Sequence, residues 1–518
     1  MTAPTTTAFN AAQYLVDRHV QLGAGDRVAV VAPSRTLTYA ELGDEVQTIA
    51  AGLRSLGVRP EDRVLMCMTD EVELFTAILA SMWLGAVAVP CSTMLTGPEL
   101  RKLVIDSRAR TVLGSSEYAR AITIAVDGAP DVEHVVMAGM EPEQALPWRV
   151  LTLHGRLSEP YATWSDSPAL WLYTSGTTGE PKAAMHRHRD IQVVAETYGQ
   201  QVLGIRPEDR CLSVAKLFFA YGLGNSMFFP LSVSASAVLE PSRPSGDLIA
   251  RRIAEHQPTL LFGMPSFWGP VLAGDLPDDT FAGVRLGVSA GEALPPRMCH
   301  GMRDRFGLEI LDGIGSTELL HIFVSNRPGQ VRPASSGVPV PGYEVELRDE
   351  FGAVIEGHGV SGELYVKGES AATGYWCRTD TSRRVFLGDW TRTGDTYVRN
   401  EDGTYTSLGR TGDMLKSGGI WVTPSEVENR LLEHPSVAEV AVVGVPDQDG
   451  LDKTVACVVP VAGHKVDEDE LIQWCRDGLA AFKRPRMVIE LTRLPRTATG
   501  KVRRNILRQI ASVDTSPS

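Results

Sequence analysis

The sequence predicts an α/β protein whose parallel sheets carry helices on both faces, and three observations point there. Apolar strands alternate with helical stretches through the N-terminal part of the chain, the pattern of sheets connected by helical crossovers. Beyond the Gly/Pro-rich stretch from Arg327 to Gly342 the strands become short and turn-punctuated. After Arg410 the helix–strand pattern restarts as a compact α+β unit.

In chain order, Asp62–Met68 reads as a strand. Glu71 and Glu73 open a helix that runs to Leu84; Gly85 ends it, and Ala86–Val89 reads as a buried strand before Pro90. No charged residue occurs from Leu74 to Pro98. That run is long enough to suggest a membrane span, but the glycine and the strand after it argue for a buried helix instead. Leu100–Arg108 is expected as helix, Thr111–Leu113 as strand, and Ser167–Tyr173 as a strand running into a Gly/Thr-rich loop. Phe218–Gly222 is expected as a strand. Tyr343–Leu347 and Gly362–Val366 belong to a small β-rich subdomain. Pro424–Leu432 is helical, with proline at its start. Ala438–Val445 and Thr454–Val461 are apolar strands, and Asp467–Ala481 is an amphipathic helix with Leu471, Trp474, Cys475 and Leu479 at helical spacing. Gly409-Arg-Thr-Gly412 marks the boundary between the two parts, where glycine permits a large backbone swing. The bounds that follow are 1–409, a hinge at 410–412, and 413–518.

Composition narrows the function. The 518 residues are 43% hydrophobic and 22% charged, values of a globular chain with ample core. Lys+Arg total 50 against 63 Asp+Glu, a net charge of −13. An acidic chain argues against nucleic-acid or membrane partners. Cysteines stand at 67, 91, 211, 299, 377, 457 and 475, with no CxxC pair, so neither a disulfide scaffold nor a cysteine metal site is expected. Met1–Thr7 lacks the basic and apolar regions of a signal peptide, and the expected location is the cytoplasm. Oligomeric state is open, a homodimer included.

The stretch that carries most chemistry is Tyr173-Thr-Ser-Gly-Thr-Thr-Gly-Glu-Pro-Lys182. Small and hydroxyl residues closed by a lysine, directly after a buried strand, form a loop whose N–H groups and side chains can wrap phosphate oxygens. It is not a Walker loop: Pro181 stands where glycine should precede the lysine, and Ala183 where Ser/Thr should follow.

The chain resembles the acyl-adenylate-forming enzymes, which include acyl-CoA synthetases, peptide-synthetase adenylation domains and luciferases. The resemblance runs from Thr38-Tyr-Ala-Glu-Leu42 to Lys501. Its motifs occur in family order: the loop at 174–182, Gly313-Ile-Gly-Ser-Thr-Glu318, Thr393-Gly-Asp395, Gly409-Arg-Thr-Gly-Asp413 and Gly500-Lys501. Phe218-Phe-Ala-Tyr-Gly-Leu-Gly-Asn225 and Glu318-Leu-Leu-His-Ile-Phe-Val-Ser-Asn326 make it most similar to the benzoate-type aryl-CoA ligases. The resemblance implies a large N-terminal domain with two parallel-type sheets and a small mobile C-terminal domain. It also implies a reaction: ATP activates a small aromatic acid (benzoate, hydroxybenzoate or aminobenzoate type) to aryl-AMP, and coenzyme A then takes the acyl group.

Site roles follow from the same resemblance. Thr174, Ser175, Gly176, Thr177, Thr178, Gly179 and Lys182 would hold ATP phosphates. Glu318 would ligate Mg²⁺, a hard cation suited to one carboxylate shared with phosphates, and Thr317 would touch the α-phosphate. Gly291, Glu292, Asp312 and Ile314 would border the adenine, and Asp395 the ribose hydroxyls, with Arg410 beside it. Many relatives have tyrosine at 314, so stacking there is apolar here. Ala220, Tyr221, Gly315, His321 and Ile322 match the acyl pocket, whose small residues backed by aromatics suit a flat, short acid. His321 is either a packed core residue or a substrate contact favouring a ring hydroxyl or amino group. Gly418, Gly419 and Trp421 would border the pantetheine path, and Phe482 and Arg484 the CoA nucleotide. Lys501 is the expected adenylation catalyst, reaching carboxylate and phosphate oxygens as charge concentrates on them. Phe482 to Ile510 carries nine Lys/Arg against one acid, a field that attracts phosphates.

Two departures stand out. Gly412 occupies the position where many relatives have an acidic or lysine hinge, with Asp413 after it. Gly450-Leu451 replaces the tryptophan that some aryl-CoA ligases place against the CoA adenine. Two rivals also exist. Gly287-Val-Ser-Ala-Gly291 matches a serine-hydrolase elbow with Ser289 as nucleophile, although Glu292-Ala-Leu-Pro295 follows it, as in adenylate-forming relatives. The other rival is an aryl-AMP ligase that loads a separate carrier protein.

Overall fold

A computed structural model describes residues 7–139, 145–175, 180–413, 415–417, 420–422, 424–446, 452–480, 483–496 and 502–514. Among them, strands form sheets of nine, seven, five, three and two. In the nine-stranded sheet the strands Val28–Val31, Ser236–Val238, Arg210–Ser213, Leu260–Gly263, Leu286–Ser289 and Ile310–Gly315 run parallel to one another. Ile322–Ser325 turns back antiparallel beside Ile310–Gly315. The seven-stranded sheet is parallel through Arg63–Cys67, Val87–Pro90 and Pro168–Ser175, then closes on antiparallel Pro181–Arg187. Strand after strand is buried along its whole length because helices or the other sheet cover both faces, as parallel sheets require.

The uncharged run at 74–98 resolves into helix Val72–Trp83 and strand Val87–Pro90. Its Phe75, Ile78, Leu79 and Met82 join one core with Val64 and Met66 of the seven-stranded sheet and Leu260 and Leu286 of the nine-stranded one. A helix placed between two apolar surfaces needs no polar face. No helix among the described residues is long and apolar enough to cross a membrane.

The β-rich unit is the five-stranded sheet of Tyr343–Arg348, Ser361–Gly368, Trp390–Arg399, Phe386–Leu387 and Tyr405–Arg410. The C-terminal part folds Val437–Pro446, Asp452–Pro460 and Met487–Glu490 into a sheet. Helices Pro424–Leu432 and Glu468–Gly478 pack into its core through Val427, Leu431, Leu471 and Cys475. The second helix is shorter than its apolar spacing suggests. Asp467 is its N-cap, accepting from Glu470 N, and Leu479 is already extended.

One element differs in kind. Phe218–Gly222 is not a strand: Phe219 is extended, and Ala220–Leu223 then forms a helical turn continued by Gly224–Phe228. The aromatic pair favours β structure locally, but the glycines decide it. A Cβ on Gly222 would stand 2.0 Å from the Lys216 carbonyl oxygen, and one on Gly224 2.3 Å from His321 Cδ2. Only glycine permits the turn to pack so closely against both neighbours.

Candidate active site

The phosphate-loop sequence lies at the antiparallel end of the seven-stranded sheet. Thr174 pairs with Lys182 and Ser175 with Pro181, so Gly176, Thr177, Thr178 and Gly179, which lie outside the described residues, connect these two strands. Thr174 and Lys182 are half-buried. Facing Lys182 from the other large sheet is the turn Thr317–Leu319, which follows strand Ile310–Gly315. Lys182 Nζ lies 3.9 Å from Glu318 Oε1.

Tyr375 stands between them, a residue that the sequence motifs do not single out. Lys182 Nζ donates to its hydroxyl at 2.7 Å, and that hydroxyl donates to Glu318 Oε1 at 2.6 Å. Burial opposes the charge on Glu318, but the phenol's hydrogen bond and the charges of Lys182 and Arg410 outweigh it and hold the carboxyl below its usual range. Burial lowers Lys182 from the usual lysine value against the pull of Glu318. Burial, reinforced by the Glu318 carboxylate, pushes the Tyr375 phenol far up, so it remains a neutral donor.

The Glu318 turn is tied to its surroundings at several points. The ring of His186 on strand Pro181–Arg187 lies 2.7 Å from the Thr317 carbonyl oxygen and 3.1 Å from Asp190 Oδ2. Ser370 Oγ donates to the Leu319 carbonyl, and Ala372 N to that of Glu318. Asp395 and Arg410 are directly paired across adjacent strands, with Arg410 Nε 3.1 Å from Asp395 Oδ1.

The adenine-side positions cluster at the ends of neighbouring strands. Ser289 and Asp312 are register partners; Gly291 and Glu292 follow the first, and Ile314 and Gly315 end the second. Asp312 Oδ1 is buried and has no hydrogen-bond partner among the described residues, and burial drives this carboxyl well above its usual range. Glu292 is reached from the C-terminal part: Arg496 donates to Glu292 Oε1 at 3.3 Å and to Glu439 Oε2 at 2.6 Å. Arg496 is five residues before Lys501 in the chain.

The acyl positions also come together. The Tyr221 and His321 rings lie 5.5 Å apart, Gly315 pairs with Ile322, and Ala220 sits on the same helical turn as Tyr221. The Tyr221 hydroxyl donates to the carbonyls of Gly263 and Val288, which fixes the ring. His321 is 3% exposed, packed on Tyr198 and Phe229, with Nε2 3.2 Å from Asn225 Oδ1. Its Nδ1 has no partner among the described residues, and burial pushes the imidazole down to about 3, so it is neutral at ordinary pH. The signal for Asn225 was its place inside the motif Phe218–Asn225; Tyr375 and Arg496 have no comparable local signal.

Of the CoA-side positions, Gly418, Gly419, Phe482 and Gly450-Leu451 lie outside the described residues, as does Lys501. Trp421 belongs to the hairpin Leu415–Ser417/Ile420–Val422. Arg484 donates to the carbonyls of Leu479 and Arg476, closing the end of helix Glu468–Gly478.

The hydrolase alternative does not survive the geometry. Ser289 ends a central strand with its side chain fully buried and Oγ without a hydrogen-bond partner among the described residues, histidine included. A nucleophile needs an exposed hydroxyl beside its base.

The AMP-binding enzyme family matches residues 16–376, and the AMP-binding enzyme C-terminal domain matches 426–501. The benzoate–CoA ligase of Thauera aromatica is 41% identical over 505 residues, covering 96% of each chain. The crystal structure of a benzoate CoA ligase from Burkholderia xenovorans LB400 superposes with a TM-score of 0.90 at 41% identity, over 96% of this chain and 100% of that one. An anthranilate CoA ligase solved with anthranoyl-AMP gives a TM-score of 0.92 at 36% identity over 98% of both chains. The first family match alone spans well over half of the sequence. The chain therefore belongs to the AMP-binding, acyl-adenylate-forming enzymes, on the branch of the benzoate-type aryl-CoA ligases.

Proposed function

We infer that the protein is an AMP-forming aryl-CoA ligase acting on a small aromatic acid. The observation that carries this reading is a juxtaposition: Lys182 Nζ lies 3.9 Å from Glu318 Oε1, and the segment that follows Glu318 brings the His321 ring within 5.5 Å of Tyr221. In the first step a carboxylate oxygen of the acid attacks the α-phosphorus of ATP and pyrophosphate leaves. Lys182 and the loop at 174–179 hold phosphate oxygens, Asp395 accepts from the ribose hydroxyls, and Asp312, whose Oδ1 is buried without a partner among the described residues, borders the adenine. In the second step the CoA thiol attacks the acyl carbonyl and AMP leaves. Activation is needed because a free carboxylate is a poor electrophile.

Glu318 is a half-buried carboxylate held in its charged form, and no cluster of three or more metal-binding side chains occurs among the described residues. That donor set fits Mg²⁺, which takes one or two protein carboxylates and completes its shell with phosphates and water. When bound, the ion would neutralise phosphate charge; Glu318 and Thr317 are the residues that would hold it and the adjoining phosphate.

The test is pyrophosphate release and thioester formation with ATP, Mg²⁺, CoA and a panel of benzoates, hydroxybenzoates, aminobenzoates and fatty acids. One or more aromatic acids should give the highest kcat/KM. If medium-chain fatty acids exceed every benzoate, the pocket reading is wrong.

The division into 1–409, a hinge at 410–412 and 413–518 belongs to the same proposal. Gly412 lies in the short turn Thr411–Asp413, and a Cβ added there would meet nothing within 4 Å, so a larger residue fits. Gly412→Pro fixes φ and removes an N–H. It should slow thioester formation from preformed aryl-AMP more than adenylation, because the C-terminal part must turn between the steps. Equal losses in both half-reactions contradict a hinge at this residue.

A further inference from the structure

We propose that Tyr375 is a positioning residue for nucleotide binding, its hydroxyl setting the spacing and direction of the Lys182 ammonium and the Glu318 carboxylate. The proposal rests on the adenylating site described above and adds a residue to it. The hydroxyl takes one hydrogen bond from Lys182 at 2.7 Å and gives one to Glu318 at 2.6 Å, while the two charges stand 3.9 Å apart. A direct ion pair would turn each charge toward the other. With the phenol between them, each keeps hydrogen-bonding capacity for phosphate or metal.

The backbone around Tyr375 is built to hold that place. Thr373 N donates to the Met185 carbonyl, Met185 N to that of Gly374, and Trp376 N to that of Ala183, so this segment forms an added edge on the strand that bears Lys182. Ala372 N donates to the carbonyl of Glu318 itself. One short segment is therefore fastened to both large sheets, and its tyrosine measures the gap between their functional residues. The ring is 3% exposed and packs on Phe386 at 5.3 Å between centroids. Lys182 Nζ lies 3.9 Å from the ring centroid. Ring packing alone would be served by phenylalanine; the two hydroxyl bonds would not.

Tyr375→Phe keeps the ring and removes those bonds. Binding of Mn²⁺–ATP, measured directly by calorimetry and by water-proton relaxation without any acid substrate, should weaken about tenfold to a hundredfold, the range for losing hydrogen bonds to charged groups. In turnover, KM for MgATP should rise while KM for the aromatic acid changes little. In a Lys182→Met background the same substitution should cost less than in the parent, because one of its two partners is gone. Equal Mn²⁺–ATP affinity in parent and Tyr375→Phe overturns the proposal, whether the thermal midpoint falls or not; a fall with unchanged affinity assigns the phenol to folding alone. Full additivity with Lys182→Met also overturns it. Failure of the parent to bind Mn²⁺–ATP would instead defeat the nucleotide-site reading beneath it.

Discussion

Lys501→Ala is expected to lower aryl-AMP formation by a factor on the order of a hundred to a thousand, ~3–4 kcal/mol, the usual cost of removing one oriented donor to a developing oxyanion. The lysine is useful when the carboxylate and α-phosphate share negative charge, which happens only in the first step. Arg496, a short way before it in the chain, bridges Glu292 and Glu439 of the C-terminal sheet. This contact ties the C-terminal part to the segment that follows strand Leu286–Ser289. Synthetic aryl-AMP and CoA supplied to the variant should give thioester at a rate near the parent's. Rapid-quench measurement of the two half-reactions separates them. Normal adenylation with failed thioester formation would reverse the assignment of the steps.

Glu318→Gln is expected to weaken the apparent affinity for Mg²⁺ in the first step by at least about a hundredfold. Loss of a mere outer-shell partner already costs ten- to a hundredfold, and here the ligand itself is altered. The substitution is nearly isosteric, and the amide oxygen can still accept from Tyr375, so the loss reports charge rather than collapse of the turn. Raising Mg²⁺ should recover part of the rate in Glu318→Gln and none in Lys501→Ala. A Mg²⁺ titration of pyrophosphate release that coincides with the parent's would remove Glu318 from the metal site.

What the sequence discloses depends on how local the cause is. Helix Val72–Trp83 and strand Val87–Pro90 were readable because Gly85 and Pro90 punctuate an otherwise uniform apolar run. Helix Pro424–Leu432 was readable to its ends, since proline fixes the start. Phe218–Gly222 misleads because the aromatic pair speaks for β structure, while the deciding contacts, with Lys216 and with His321, are made by glycines whose lack of a side chain is itself the feature. The site shows the same division. Lys182, Glu318, Asp395 and Arg410 sit in compact motifs, and Asp395 and Arg410 pair across adjacent strands. Tyr375 acts 193 residues from Lys182 and 57 from Glu318, and only the folded chain brings the three together. The tie between Arg496 and Glu292 spans 204 residues and was equally invisible.

The most direct test of the chemistry is isotopic. The protein is incubated with ATP, Mg²⁺, CoA and an accepted aromatic acid carrying ¹⁸O in both carboxylate oxygens, and the nucleotide and pyrophosphate are analysed by mass spectrometry. Attack of the carboxylate on the α-phosphorus, followed by thiol attack on the carbonyl, leaves one labelled oxygen in AMP and none in pyrophosphate. Label in inorganic phosphate with ADP as the nucleotide product, or unlabelled AMP alongside thioester, would contradict the acyl-adenylate account.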